Sequence, residues 1–451
     1  MATKSLFLEL TEKYLEGVIG RIVEKYNDEY QQQQYLHLTM LQEEYSADLI
    51  WSASEFQNNI VAADVVSMDS SLPLKKRDTL GTAVGRIPKI GLAFSRGEKF
   101  LSDVQVMAAR GAREAEIAAR VLNDVSRAIN GIIVKTEILF QQGLSTGTIL
   151  VEDENLPGLG IRASFGYKDK NFFKTTKGAW GGADAATFDD IQQLFDEAQA
   201  DGNTIGLVML SKAYFNKLRN STQAKQKAAV YGGQVIVSLD SLMAPSREVM
   251  LNTLADEFGC EFRIVDGTFR YEEKDGTTKN IKPWAQANVV ALPSADAGRL
   301  VYGTLAEETR PVADVTYAKA GTHILIAEFG ETNPLREFTT GQALCLPVID
   351  NAQSIYVLEA DKGPITLSKE SLTFTAAGGD GTFTAESVNE GALSVAVPEA
   401  DAAWLATSIS NGTVTVTAQA NAGSGATART SKVTVTDAAG NKAEVAVSQA
   451  A

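Results

Sequence analysis

The chain has 451 residues, enough at roughly 100 to 200 residues per domain for two or three domains that each bury a core. Its 41 Lys and Arg stand against 56 Asp and Glu, a net charge of −15, which argues against a general polyanion binder, because such proteins need surplus cations to displace counterions. With 44% hydrophobic and 22% charged residues it is too apolar for disorder.

Two histidines, His37 and His323, leave most triad, general-base and zinc schemes without their usual ligand. Two cysteines, Cys260 and Cys345, exclude a disulfide framework and read as buried thiols. The stretch Met1 to Leu10 has no signal-like apolar core, and no run reaches the roughly 18 apolar residues of a membrane span. The expectation is a protein made and kept in the cytoplasm, unless something other than a signal carries it out.

In chain order, Leu6, Leu10, Tyr14, Val18, Ile22 and Tyr26 recur at four-residue spacing and predict an amphipathic helix running toward Tyr35. From Asp64 to Lys99, Pro73, Gly81, Gly85, Pro88, Gly91 and Gly97 forbid a long helix and suit a two-stranded ribbon. Residues 75–114 carry nine cations against four acids, so the ribbon is basic on an acidic molecule. A long helix is expected from Arg113 to Gln142, capped by Gly143. An α/β stretch follows, with helices over 184–200, 212–229 and 249–258, strands over 205–210, 261–265, 288–292 and 300–302, and a hairpin turning at Lys274-Asp275-Gly276. The segment 323–360 alternates strands with breaks at Pro334 and Pro347. After Asp361-Lys362-Gly363-Pro364 the chain turns Thr, Ala, Val and Gly rich. Alternation in Thr413–Thr417, Lys432–Thr436 and Glu444–Ser448, punctuated at Gly378-Gly379, Asn411-Gly412 and Gly440-Asn441, predicts a β-sandwich.

No phosphate loop survives inspection, since Gly158-Leu159-Gly160 lacks the third glycine and no Walker lysine exists. Adjacent carboxylates such as Asp189-Asp190, Glu272-Glu273 and Glu307-Glu308 point apart rather than converging on one bond. No cofactor or metal is expected, and a hydrolase built on carboxylates stays formally open. The basic ribbon could grip an acidic surface on another copy of the chain, against the blander reading of a solvated loop.

Whole segments then resemble the lambda-type phage major capsid protein family, the E family with the Hong Kong 97-type fold. They are Ala63-Asp64-Val65-Val66 through Gly91-Leu92, Ala179-Trp180 to Asp189-Asp190-Ile191, Asn280-Ile281-Lys282-Pro283, Gly298-Arg299-Leu300-Val301-Tyr302-Gly303, and Asn333-Pro334-Leu335-Arg336-Glu337-Phe338. An apolar strand pair, 343–349 and 354–358, comes after the last of them. The resemblance covers about residues 5–360. It implies an α+β capsid body: an N-terminal arm (1–62), an E-loop (63–99), a P-domain with its spine helix (100–183), an A-domain (184–320) and return strands (321–361). Residues 362–451 resemble a BACON domain, an immunoglobulin-like sandwich, on Leu372-Thr373-Phe374, Gly378-Gly379, Trp404-Leu405, Asn421 and the stretch from Arg429 to Gln449.

That resemblance implies a major capsid protein, not an enzyme, that self-assembles into the icosahedral head shell of a tailed bacteriophage and encloses its DNA, with the immunoglobulin-like domain displayed on the surface as a decoration. Expected partners are other copies in pentamers and hexamers, a portal, scaffold or cement proteins, enclosed DNA without sequence-specific binding, and glycans through the terminal domain; no membrane is expected. Lys75, Lys76, Arg77, Arg86 and Lys89 are the expected inter-subunit contacts. Trp404 is the one weak glycan candidate, although Phe374, Phe383 and Trp404 all read as core. Some capsids of this fold join a loop lysine covalently to a neighbour's asparagine, here Lys75 or Lys76 and Asn333, but the lambda-type members do not. The alternatives are a cell-surface adhesin or glycan-binding protein working through its terminal sandwich, and a carboxylate-based glycoside hydrolase.

Overall fold

The computed structural model describes residues 6–26, 35–54, 82–152, 160–182, 185–233, 242–272, 277–387, 391–421, 427–438 and 440–451. The architecture is α+β, with a C-terminal all-β region over residues 365–449.

The body is organised on a six-stranded sheet. Its longest strand, Leu335–Ile349, pairs antiparallel with Ile324–Thr332, Lys89–Gly97 and Gly298–Gly303. Leu41–Tyr45 joins parallel to Gly298–Gly303, and Thr316–Ala320 closes the other side. The helix Asn123–Thr146 packs across this sheet. Contact is so close that a Cβ at Gly341 would lie 2.9 Å from the Ala128 side chain, so a side chain there would push helix and sheet apart.

The expected single helix over 113–142 is two helices, Glu114–Val121 and Asn123–Thr146. Leu122 between them leaves helical geometry at φ −89°, ψ 8°, and Asp124 in the next first turn takes the Arg96 guanidinium at 2.8 Å. The second helix also outruns its expected cap by one turn. Gly143 is buried inside it, and the left-handed residue is Gly147, φ 72°, whose N–H bonds back to the Gly143 carbonyl. The N-terminal helix is Leu6–Tyr26, and residues 27–34, where it was expected to continue, lie outside the described residues.

A five-stranded sheet follows, in the order Phe172–Lys174, Tyr356–Glu359, Asn288–Leu292, Leu207–Ser211, Glu261–Val265. Its three inner strands, Tyr356–Glu359, Asn288–Leu292 and Leu207–Ser211, are buried on both faces, which is why they read as apolar runs. Leu207, Met209, Val290 and Leu292 join the body core, while Val208, Leu210, Val289 and Ala291 face a second core. Helices Thr187–Ala200, Lys212–Asn220 and Arg247–Phe258 supply that second core. The predicted helix over 212–229 is split at Ser221, whose hydroxyl caps Thr222–Tyr231.

Two further expectations are corrected. The segments 343–349 and 354–358 are not a strand pair: the first belongs to the six-stranded sheet, and Tyr356–Glu359 lies in the five-stranded one. Pro347 does not break its strand, because there the strand pairs only with Leu300, and a missing N–H on the unpaired side costs no ladder bond.

The terminal sandwich stacks the sheet 365–367, 379–387, 413–418, 405–410 on the sheet 371–374, 442–449, 429–436, 394–396. Alternate residues Val414, Val416, Val433, Val435, Val445 and Val447 are buried, as the alternation demands. Asn411 and Gly412 both have positive φ, 47° and 74°, in the two-residue turn joining two of its strands. Among the described residues no helix is long and apolar enough to cross a membrane.

Candidate assembly surface

The basic ribbon is built differently from its sequence reading. Its base is strand Ile50–Ser54 paired antiparallel with Thr82–Arg86, so it starts well before Asp64. Lys89–Gly97, expected as a ribbon strand, belongs to the body sheet. Hydrophobicity explains the anchoring, since alternate residues of a strand face opposite ways. Trp51 and Ala53 are buried against the body, with the Trp51 ring 5.7 Å from that of Phe165. A Cβ at Gly85 would come within 2.7 Å of the Trp51 indole, so glycine is required opposite it. The other face exposes Ile50, Val84 and Arg86.

Arg299 ties this base to the body. Its guanidinium takes both oxygens of Asp350 at 2.6 and 2.8 Å, pairs with Glu44 and donates to the Ser52 carbonyl at 2.8 Å. The Asp350 carboxylate, chiefly, raises its pKa above the ordinary arginine value. Bidentate pairing fixes orientation as well as charge, so one side chain joins four segments. This is the physical content of the Gly298 to Gly303 motif, in which Gly298 is also irreplaceable at φ 151°, where a Cβ would meet the Val348 carbonyl at 2.1 Å.

Two of the other motifs are joints too. Asp190, fully buried in the first turn of Thr187–Ala200, accepts from the Thr176 N–H at 2.6 Å, the Thr176 hydroxyl at 2.7 Å and the Trp180 indole at 2.8 Å. Burial raises its pKa and those donors pull it back. Glu337 and Phe338 continue the hairpin whose tip holds Asn333: Phe338 stacks on Phe329 with centroids 5.2 Å apart, and buried Glu337 lies opposite Arg96 in the ladder. Cys260 and Cys345 are free thiols, both pushed up to about 12 by burial.

Of the five expected contact residues, Lys75, Lys76 and Arg77 lie outside the described residues, and so does any approach of Lys75 or Lys76 to Asn333. Arg86 is exposed at the ribbon's base, opposite Ile50. Lys89 is exposed, with its ammonium 3.9 Å from Glu307, a separation at which a surface pair contributes little. Trp404 is no open platform: it is 8% exposed, Arg429 covers its ring at 4.2 Å, and its indole N–H donates to Asp401 at 3.1 Å. Sequence reasoning missed Trp51, Arg299 and Asp190 as anchors; an isolated tryptophan beside the ribbon and an arginine inside an apolar strand were the available signals.

Among the described residues no group of three or more His, Cys, Asp or Glu is placed to hold a metal. The arrangement offers an anchored ribbon base with exposed apolar and cationic side chains, which suits protein contact.

Residues 20–356 match the family model described as phage major capsid protein E, and residues 364–451 match the one described as viral BACON domain. Among solved structures, the chain is similar to the capsid protein of a prophage of Escherichia coli CFT073, at 14% identity over 76% of this chain and 98% of that one, TM-score 0.47. It is also similar to a phage-related protein of Bordetella bronchiseptica RB50, at 12% over 76% and 96%, TM-score 0.43. A third is the capsid of cyanophage A-1(L), at 12% over 73% and 94%, TM-score 0.41. No curated protein matches it in sequence.

Proposed function

The chain belongs to the phage major capsid protein E family, with a viral BACON domain at its C-terminus, and from that premise we propose how this subunit builds its shell. As a capsid component of the virion it self-assembles and encloses DNA. The observation that carries the reading is the family match over residues 20–356; the anchored ribbon supports it physically.

In our reading the ribbon docks on a neighbouring copy through Lys75, Lys76, Arg77, Arg86 and Lys89, helped by exposed Ile50 and Val84 at its base. Charge steers the approach and apolar contact holds it. The working division is an arm over 1–62, a loop over 63–99 whose base reaches back to Ile50, a P-domain over 100–183, an A-domain over 184–320, return strands over 321–361 and the terminal sandwich over 362–451. Assembly would take place in the host cytoplasm, with portal and scaffold or cement proteins as further partners and DNA held without sequence-specific binding. The role is structural rather than catalytic. A glycan bound by the sandwich would use surface other than the covered Trp404 ring.

Electron microscopy of the purified chain tests this. Capsomers or closed shells are expected, and discrete monomers at every concentration would overturn it. The triple reversal Lys75→Glu, Lys76→Glu, Arg77→Glu should impair assembly while circular dichroism stays unchanged; normal shells would refute the electrostatic docking.

A further inference from the structure

Both histidines of the chain, 286 positions apart in numbering, line one cavity of about 160 Å³. The N-terminal helix lines one side of it with Val23 and Tyr26, and the helix Asn123–Thr146 another with Ile129 and Ile133. The N-terminal helix is held by buried Leu10, Leu15 and Ile19 and by the Tyr26 hydroxyl, which donates to Asn130 at 2.6 Å. The cavity therefore lies under the inner end of that helix.

Its walls are mostly apolar, and the titratable groups around it are few. His37 Nδ1 lies 2.6 Å from a carboxylate oxygen of Glu137, which is wholly buried and also accepts from the His37 N–H and the Gln141 amide. His323 Nδ1 lies 3.0 Å from the Thr322 hydroxyl and 3.7 Å from Glu43 of strand Leu41–Tyr45. Tyr302 packs on the His323 ring at 5.8 Å and Tyr35 on the His37 ring at 6.3 Å. From the N-terminal helix the facing titratable group is Tyr26, and burial raises the pKa of both Tyr26 and Tyr35, so both stay neutral across the range at issue.

We propose that this cavity is an acid-sensitive latch: protonation of His323 draws water into it and frees the helix Leu6–Tyr26 from the body. A charged His323 ring has Glu43 at 3.7 Å and a partly exposed edge to serve it, but the mostly apolar remainder of the wall offers nothing, so the charge is better solvated once the helix has moved away. Burial is the largest influence on His323 and lowers its pKa below 6.5; Glu43 raises it and charge on His37 lowers it again. The folded state thus binds this proton less readily than the unfolded chain. The stabilisation is complete above about pH 6.5 and is lost as pH falls through the lower folded value. This latch belongs to the subunit and does not rest on the docking proposed for the ribbon.

Hydrogen exchange of the full chain between pH 7.5 and 5, corrected for intrinsic rates, tests it. Amides of residues 6–26 should lose protection on acidification, about tenfold for each unit by which His323 is depressed, while those of 429–449 keep theirs. His323→Gln should abolish the loss. Glu43→Gln should move it to lower pH, because the group that favours the charged ring is gone. Constant protection of residues 6–26 in the native chain, or an unchanged loss in His323→Gln, would overturn the proposal. Should His323→Gln fail to fold, Glu43→Gln decides, and a loss at unchanged pH would be equally fatal.

Discussion

The body and the terminal sandwich differ in the span of their charged pairs. In the body the decisive bonds join distant segments: His37 meets Glu137 across 100 positions and Arg299 meets Glu44 across 255. In the sandwich Lys432 pairs with Glu444 across 12 positions and Asp437 holds Asn441 across 4. The sandwich holds two hairpins of consecutive strands, 405–410 with 413–418 and 429–436 with 442–449, around a valine core, and longer pairings such as 371–374 with 442–449 complete its sheets. The body is a set of segments that become one unit only where single buried side chains lock them together. Loss of one such residue in the body should therefore be felt widely, and its counterpart in the sandwich should be felt locally.

The sharpest break in that contrast is Asp190→Ala. It leaves the buried Trp180 indole and the half-buried Thr176 N–H and hydroxyl without their acceptor, and an orphaned buried donor costs about 1 to 3 kcal/mol. A loss of about 3 kcal/mol or more is expected in denaturant unfolding of the body, with Asp190→Asn recovering part of it. A change below about 0.5 kcal/mol, the size of an ordinary surface substitution, would show that the joint is incidental.

The same contrast explains what could be read in advance. Strands Glu261–Val265 and Asn288–Leu292 and the valine strands of the sandwich were legible because local periodicity and burial coincide there. The assembly body was legible as whole segments, yet the roles of Arg299 and Asp190 were not. Nothing near Arg299 in sequence announces Glu44, Ser52 or Asp350, since that site exists only after the sheet has formed. The ribbon was misplaced for a related reason. Its base strand Ile50–Ser54 looks like its surroundings until Trp51 finds Phe165 and Gly85, whereas the glycines and prolines that mark a ribbon in the sequence lie further along the chain. The break at Leu122 and the shift of the cap from Gly143 to Gly147 are further tertiary overrides of a sound helical pattern.

A smaller effect is expected in the sandwich from Gly412→Ala. The turn needs positive φ at Asn411 and Gly412, and a Cβ at Gly412 would lie 3.1 Å from the Ala385 carbonyl. The left-handed conformation costs a residue with a Cβ about 1 kcal/mol. Hydrogen exchange should rise over residues 405–418 while the body keeps its protection. Equal loosening of the body would mean that the two regions unfold as one.

The smallest effect on the body should come from removing residues 363–451 altogether. The body's last tie to the sandwich side is Thr175, whose N–H and hydroxyl both bond the Lys362 carbonyl, at 3.1 and 2.9 Å. A chain ending at Lys362 keeps that carbonyl, keeps strand Tyr356–Glu359 between its two neighbours, and keeps Ala360, whose carbonyl receives the Trp180 N–H at 2.8 Å. Among the described residues it loses the Lys174 ammonium's bond to Thr366, which is the kind of surface contact that contributes little. The valine core of the sandwich is separate from both body cores. The truncated chain should therefore melt with the body's own transition and form shells of unchanged diameter in electron micrographs. A truncated chain that folds but stays unassembled would show that the sandwich is part of the assembly machinery, and the division of labour drawn between the two regions would fail.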